Sequence, residues 1–325
     1  MKQKKLEKLL KDKLPQKVSD IEKSSIGRAH HTFKLRTENE KYLLKISDND
    51  TRFQVEAPVL ELLESKDVRT PKIIDFDNSR SKYDFQYLIC EFVEGENVDR
   101  WENSSGPNFA YMSESRKKSL LESAGEQLSN LHSQTSFEGF GHFRCRNSEL
   151  EFRQKGSWKE TFREIIIQEQ VSNLPEKFQD LKPIIEEFVE SNIDILENAG
   201  DACLIHQDFR WPNILVDGDQ ISRIVDWERA LSGHHEYDLA KAEESILQFT
   251  TQKAREKYRD YFLDSYMQRV SLEEGWSERR KFYRALRPVE ALWTFEGWSK
   301  GMREEKKQEL AEKKRQRLLE RIENF

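Results

Sequence analysis

Cysteine is scarce in this chain. The 325 residues hold three, Cys90, Cys145 and Cys203. No two form a C-x-x-C pair and the number is odd, which argues against a disulfide framework and a cysteine-based zinc site. Long apolar runs are missing as well. No stretch of about 18 apolar residues occurs, so nothing reads as membrane-spanning. The N-terminal "MKQKKLEKLLKDKLPQK" lacks the apolar core of a signal peptide. There is no excess of positive charge: 54 Lys and Arg stand against 60 Asp and Glu, a formal net charge of -6. That balance does not point to nucleic acid as a general partner. No internal repeat is visible. These absences predict a soluble, cytoplasmic protein with no membrane or nucleic-acid partner.

What is present is a heavily charged surface and enough apolar material for two lobes. Charged residues make up 35%, hydrophobic residues 36% and aromatics 11%. Leu6, Leu9 and Leu10 are spaced as the apolar face of a short helix, which Pro15 stops. "HTFKLRTENEKYLLKI" alternates around the polar turn "TENE" and reads as a β-hairpin. A helix is expected over residues 52–65, where Pro58 fits only if it lies in the first turn. "PKIIDFDN" and "FQYLICEFVEG" read as two more strands. After Gly95 the pattern turns helical: residues 115–133, 158–172, 180–198, 239–248 and 253–269 are amphipathic. A hairpin over residues 213–227 is the only β interruption expected there. The closing "GMREEKKQELAEKKRQRLLERIENF" reads as a solvated, charge-laced surface helix. The lobes are therefore expected at residues 1–93 and 94–325.

One stretch carries chemistry: "LIHQDFRWPNILVDGDQISRIVDWE", residues 204–228. "ILV" and "ISRIV" flank "DGDQ", a strong hairpin-turn signal. An antiparallel hairpin brings Asn213 and Asp226 together at its open end. An amide oxygen and a carboxylate at one point suit magnesium, which keeps few protein ligands and shares phosphate oxygens. Asp208 leads into the same end and is placed to act as a general base. His206 sits just before it. Singly, these residues are ordinary turn caps and solvated loop positions; their ordered spacing is not.

The run from "HQDFRWPNILVDG" to "EYDLA" resembles the aminoglycoside phosphotransferase and choline kinase-like family, followed from about residue 20 to 245. The resemblance implies a protein-kinase-like, bilobal α+β fold: a small antiparallel-sheet lobe that binds nucleotide and a mainly helical lobe. It implies Asp208 as catalytic base, Asn213 and Asp226 as magnesium ligands, and His206 and Asp238 as structural supports of the loop. Arg210 stands where protein kinases carry a loop lysine, and is a candidate to neutralise the transferring phosphoryl group. Lys45, on a strand, is similar to the lysine that holds the α- and β-phosphates, with Glu56 as its partner. "SSIGRAHH" occupies the place of the phosphate loop, with Ser24, Ser25 and Gly27 as its candidates. "LICEFVEG" resembles the hinge, where the Glu91 carbonyl and the Val93 N–H would read adenine beside Cys90.

The short path from Asp226 to Asp238, with no A-P-E, leaves little room for a peptide platform. A small-molecule kinase is therefore expected, using ATP (GTP as the alternative) and Mg2+ to phosphorylate a hydroxyl or amine. Glu228, Glu236, Glu243, Glu244, Glu290 and Glu296, with Trp293 and Trp298, suggest a cationic acceptor. Two other classes compete. One is a nucleotide-binding, pseudokinase-like regulator. The other is a metal-dependent hydrolase built on His206 and Asp208.

Overall fold

The computed structural model describes residues 3–24, 30–48, 50–98, 108–248 and 250–325. In the first part, α1 (Gln3–Lys13) precedes β1 (Asp20–Lys23), β2 (His31–Arg36) and β3 (Lys41–Ser47). Then come α2 (Phe53–Leu63), β4 (Ile73–Asp77) and β5 (Gln86–Glu91). The five strands form one antiparallel sheet in the order β1-β2-β3-β5-β4. The "TENE" turn joins β2 to β3, with the Thr37 N–H donating to the Glu40 carbonyl at 2.9 Å.

Strand alternation decides which way Lys45 faces. Tyr42, Leu44 and Ile46 of β3 are buried with Leu6, Leu9 and Leu10 of α1 on one side of the sheet. Lys45 therefore faces the other side, toward α2. Burying each of those leucines stabilises the lobe by roughly 1.5–3 kcal/mol. Pro58 is not in the first turn of α2 but in its interior. The ring removes the N–H that would reach the Gln54 carbonyl. Asn78 Nδ2 donates to that carbonyl instead, at 3.0 Å, and the helix continues.

The second part holds α3 (Asn108–Tyr111), α4 (Glu114–Ser133), β6 (Gly141–Arg146), β7 (Glu149–Phe152) and α5 (Trp158–Arg163), which runs into a π-helical turn at Glu164–Gln170. Next are α6 (Lys182–Asn192), β8 (Ala202–Ile205), β9 (Ile214–Asp217), β10 (Gln220–Ile224) and β11 (Leu231–His234). The chain ends with α7 (His235–Ile246), α8 (Gln252–Met267), α9 (Trp276–Trp293), α10 (Phe295–Trp298) and α11 (Glu304–Glu323). β9 and β10 are the expected hairpin. They are not the only strands here, since β7-β6-β11-β8 form a four-stranded sheet. The β6–β7 hairpin carries charged residues in both strands and turns at Asn147 and Ser148, with φ of +52° and +66°. A type I′ turn without glycine between polar strands gives a weak sequence signal.

Helices α4 and α8 pack closely at Gly125, where a Cβ would lie 2.2 Å from the Phe262 carbonyl oxygen. The terminal helix α11 is mostly exposed, as its charge pattern suggests. It is nonetheless anchored by buried Leu318 and by Arg321, which donates to Glu244 on α7 at 3.0 Å. No described helix is long and apolar enough to cross a membrane.

Candidate active site

The loop after β8 is held from beneath. Asp238, at the start of α7 and fully buried, accepts the N–H groups of His206 and Gln207, both at 2.8 Å. His132 Nε2 lies 3.3 Å from the same carboxylate. Burial opposes the charge on Asp238, but His132 and the backbone donors outweigh it and hold its pKa below the ordinary value. His206 is used on both ring nitrogens. Its Nδ1 accepts the Asp208 N–H at 3.2 Å, and its Nε2 donates to the Val225 carbonyl at 3.1 Å. Burial pushes the ring pKa down, so His206 is neutral. This leaves no ring nitrogen for a metal or for base catalysis, which removes the chief support for a His206–Asp208 hydrolase.

Asp208, Asn213 and Asp226 meet as the hairpin geometry requires. Ile224 pairs with Ile214, and the Val225 N–H donates to the Asn213 carbonyl at 2.9 Å. Asn213 Nδ2 donates to the Asp208 carbonyl and to Asp208 Oδ2, at 3.0 and 2.9 Å. Both amide protons are thereby directed at Asp208, and the amide oxygen is left for a hard cation. Arg210 Nε lies 2.8 Å from Asp208 Oδ1. Gln207 and Asp226 hold left-handed φ values of +64° and +69°. Such backbone is costly outside glycine and gathers at working sites.

Lys45 reaches both oxygens of Glu56 at 2.8 Å, joining β3 to α2. Lys45 Nζ is also 3.9 Å from Glu228 Oε1, and Glu228 Oε2 is 2.9 Å from His30 Nε2. Glu228 therefore belongs to this cluster, which its sequence position did not reveal. Burial disfavours the Lys45 ammonium, but Glu56, Asp226 and Glu228 raise its pKa above the usual lysine value. Burial raises the Glu56 carboxyl, and Glu228 and Asp226 add to that against the pull of Lys45. Burial also works against protonating His30, but Glu228 overcomes it and the ring pKa is raised. Three carboxylates around one lysine, with His30 on the outer side of Glu228, make an oxygen-rich donor set, which fits a divalent cation carried by a phosphate.

At the end of β5, the Phe92 N–H donates to the Lys41 carbonyl at 3.0 Å, and Arg223 Nε pairs with Glu91 at 3.1 Å. Among the described residues, the Val93 N–H has no backbone partner. Cys90 is buried, and that burial pushes its thiol up to about 12. The linker then crosses β9 closely. A Cβ on Gly95 would lie 3.0 Å from Leu215 Cβ, while Glu96 and Val216 exchange backbone hydrogen bonds of 2.9 and 3.0 Å. Ser25 and Gly27 lie outside the described residues.

A model of the phosphotransferase enzyme family matches residues 20–282. The chain belongs to that family. Its fold is the bilobal, protein-kinase-like one. A structure from Thermobifida fusca assigned as a fructosamine-3-kinase superposes with a TM-score of 0.67 at 17% identity, over 98% of this chain and 97% of its own. A thermostable mutant of the aminoglycoside phosphotransferase APH(4)-Ia, in complex with ADP and hygromycin B, gives 0.68 at 17% identity over 98% of both chains. A structure from Ralstonia eutropha assigned as an aminoglycoside phosphotransferase gives 0.61 at 14% identity, over 99% and 98%. No curated protein sequence matches the chain.

The glutamates of this phosphotransferase are not free to receive a cationic ligand. Glu236 is fully buried on Arg279, at 2.5 and 2.9 Å. Glu243 pairs with Arg280, Glu244 with Arg321 and Arg284, and exposed Glu296 with Lys177 at 3.0 Å. Glu290 is shared by Arg229, Arg287 and Lys241. Trp293 is flanked by the protein's own cations, Arg52 at 5.4 Å and Arg229 at 5.8 Å. Trp298 donates to the Ala291 carbonyl at 3.0 Å and packs against the helical core.

Proposed function

We propose that the chain transfers the γ-phosphoryl group of ATP to a hydroxyl of a small molecule. The observation that carries this reading is the convergence of Asp208, Asn213 and Asp226 below a Lys45–Glu56 pair reaching over from the sheet. Lys45 steadies the α- and β-phosphates, and the Val93 N–H and Glu91 carbonyl receive the adenine. Ser25 and Gly27 belong to the segment that covers the phosphates. Asn213 and Asp226 would hold Mg2+, which neutralises charge on the phosphate oxygens when bound. Asp208 takes the proton of the acceptor hydroxyl as its oxygen bonds to the γ-phosphorus and the bond to the ADP oxygen breaks. Arg210 is exposed enough to exchange Asp208 for the transferring group. The lobes divide near residue 93, and the nucleotide lies between them.

The test is ATP consumption across a panel of hydroxyl compounds, with GTP run in competition. Asp208→Ala is expected to lower turnover about 10²–10⁴-fold while ADP affinity stays within a few fold. Tight ADP binding with no turnover on any acceptor would instead favour a regulator. A cationic acceptor is not carried forward, because arginine and lysine already occupy the carboxylates that suggested it.

A further inference from the structure

Beside the loop lies a cleft lined by three arginines, Arg52, Arg153 and Arg229, by Gln207, and by two carboxylates, Glu169 and Glu228, the second of which is turned to His30 and Lys45. Gln207, which lines it, directly precedes Asp208 in the loop, and its Nε2 donates to the Arg229 carbonyl at 3.1 Å. The π-helical turn supplies Glu169, which lies 3.9 Å from Arg52 and 3.4 Å from His142, a ring whose pKa burial pushes down. Such turns recur at functional sites.

Behind the cleft the charges do not balance. Arg229, Lys241 and Arg287 share one carboxylate, Glu290. Lys241 is 5% exposed, lies 3.2 Å from Glu290, and its Nζ makes no hydrogen bond among the described residues. Burial pushes its pKa down to about 8, and Arg229 and Arg287 push the same way. Asp208 is near enough for its charge to act on both Arg229 and Lys241. The surplus continues outward through Arg287 to Lys314 and Arg317 on α11. Buried cations without a full set of partners are costly. An oxyanion would meet that shortfall with charge-assisted hydrogen bonds.

We propose that the acceptor carries an oxyanion, a phosphate ester or a carboxylate, held by Arg229 and Lys241 while its hydroxyl faces Asp208. The proposal rests on the phosphotransferase reading. Its chemistry is opposite to the cationic acceptor that the glutamate count suggested.

The experiment is a titration of inorganic phosphate, and separately of malonate, into the full chain saturated with AMP-PNP and Mg2+. Occupying the nucleotide site confines the readout to the acceptor side. Binding at one site, weakened by added KCl, is expected. Lys241→Met should weaken it at least tenfold without lowering the melting temperature, and Lys241→Arg should restore it. The stronger of the two anions tells a phosphate ester from a carboxylate. Turnover should then favour phosphorylated or carboxylated hydroxyl compounds over matched neutral and amino compounds. Equal phosphate binding by wild type and Lys241→Met overturns the proposal, as does turnover confined to neutral or amino acceptors. Phosphate binding that depends on Lys241, without transfer to any acceptor, keeps the anion site and sinks only the phosphotransferase reading.

Discussion

Glu228 and Arg229 are neighbours in sequence and belong to opposite electrostatic environments. Glu228 joins Glu56 and Asp226 in surrounding one lysine, Lys45. Arg229 joins Lys241 and Arg287 in surrounding one glutamate, Glu290. Neither cluster is self-sufficient, and the deficits have opposite sign. The two differ also in what a proton can do. Glu56 can take one up as its surroundings become more acidic, whereas an arginine cannot release one near neutral pH. The acidic cluster can therefore adjust by gaining a proton, and the basic cluster only by losing one at Lys241, whose pKa burial pushes down to about 8, since its arginines stay charged.

Replacing the residue at the centre of each cluster tests that difference. Glu290→Ala leaves buried Lys241 and half-buried Arg229 and Arg287 without their shared carboxylate and is expected to cost about 3–5 kcal/mol of unfolding free energy in urea. Lys45→Met should cost less, about 1–3 kcal/mol, because Glu56 can protonate. Its folded-state pKa would then lie further above the unfolded value, so the loss should grow from pH 6 to pH 8. An equal loss at both pH values would show that no proton enters. Protons alone give a smaller effect. Burial depresses the pKa values of His132, His142, His206 and His234. Below an unfolded value of about 6.5, the unfolded chain binds protons that these rings refuse. Stability should thus fall as pH drops from 7 to 5.5, by at most about 1.4 kcal/mol per pH unit for each ring. His30, with its raised value, opposes the trend, so a flat or rising profile would mean that it outweighs the other four. Smallest of all, Glu296→Ala removes an exposed pair and should shift stability by no more than about 0.5 kcal/mol.

Much of the site was legible because it is local. The spacing from His206 to Asn213 and the "DGDQ" turn fix a hairpin whose open end places Asn213 and Asp226 together, and β3 alternation turns Lys45 toward α2. What escaped was long-range pairing. Glu290 meets Arg229 across 61 residues, and Glu236 meets Arg279 across 43. A carboxylate looks the same in sequence whether it awaits a ligand or is already neutralised. His132 bracing Asp238, and His30 on Glu228, escaped for the same reason. The β6–β7 hairpin was lost because its charged strands lack an apolar face distinct enough to set a period of two. Pro58 misled in the other direction, since the donor that rescues the helix, Asn78, lies on a different element.

The close crossing at Gly95 has a mechanical meaning. The linker that leaves the sheet is clipped to β9 by two backbone hydrogen bonds, and β9 begins immediately after Asn213. The linker and the loop that carries Asp208 and Asn213 are thus riveted to one ribbon, so the spacing between them is set by β9 and not by the sheet that carries Lys45.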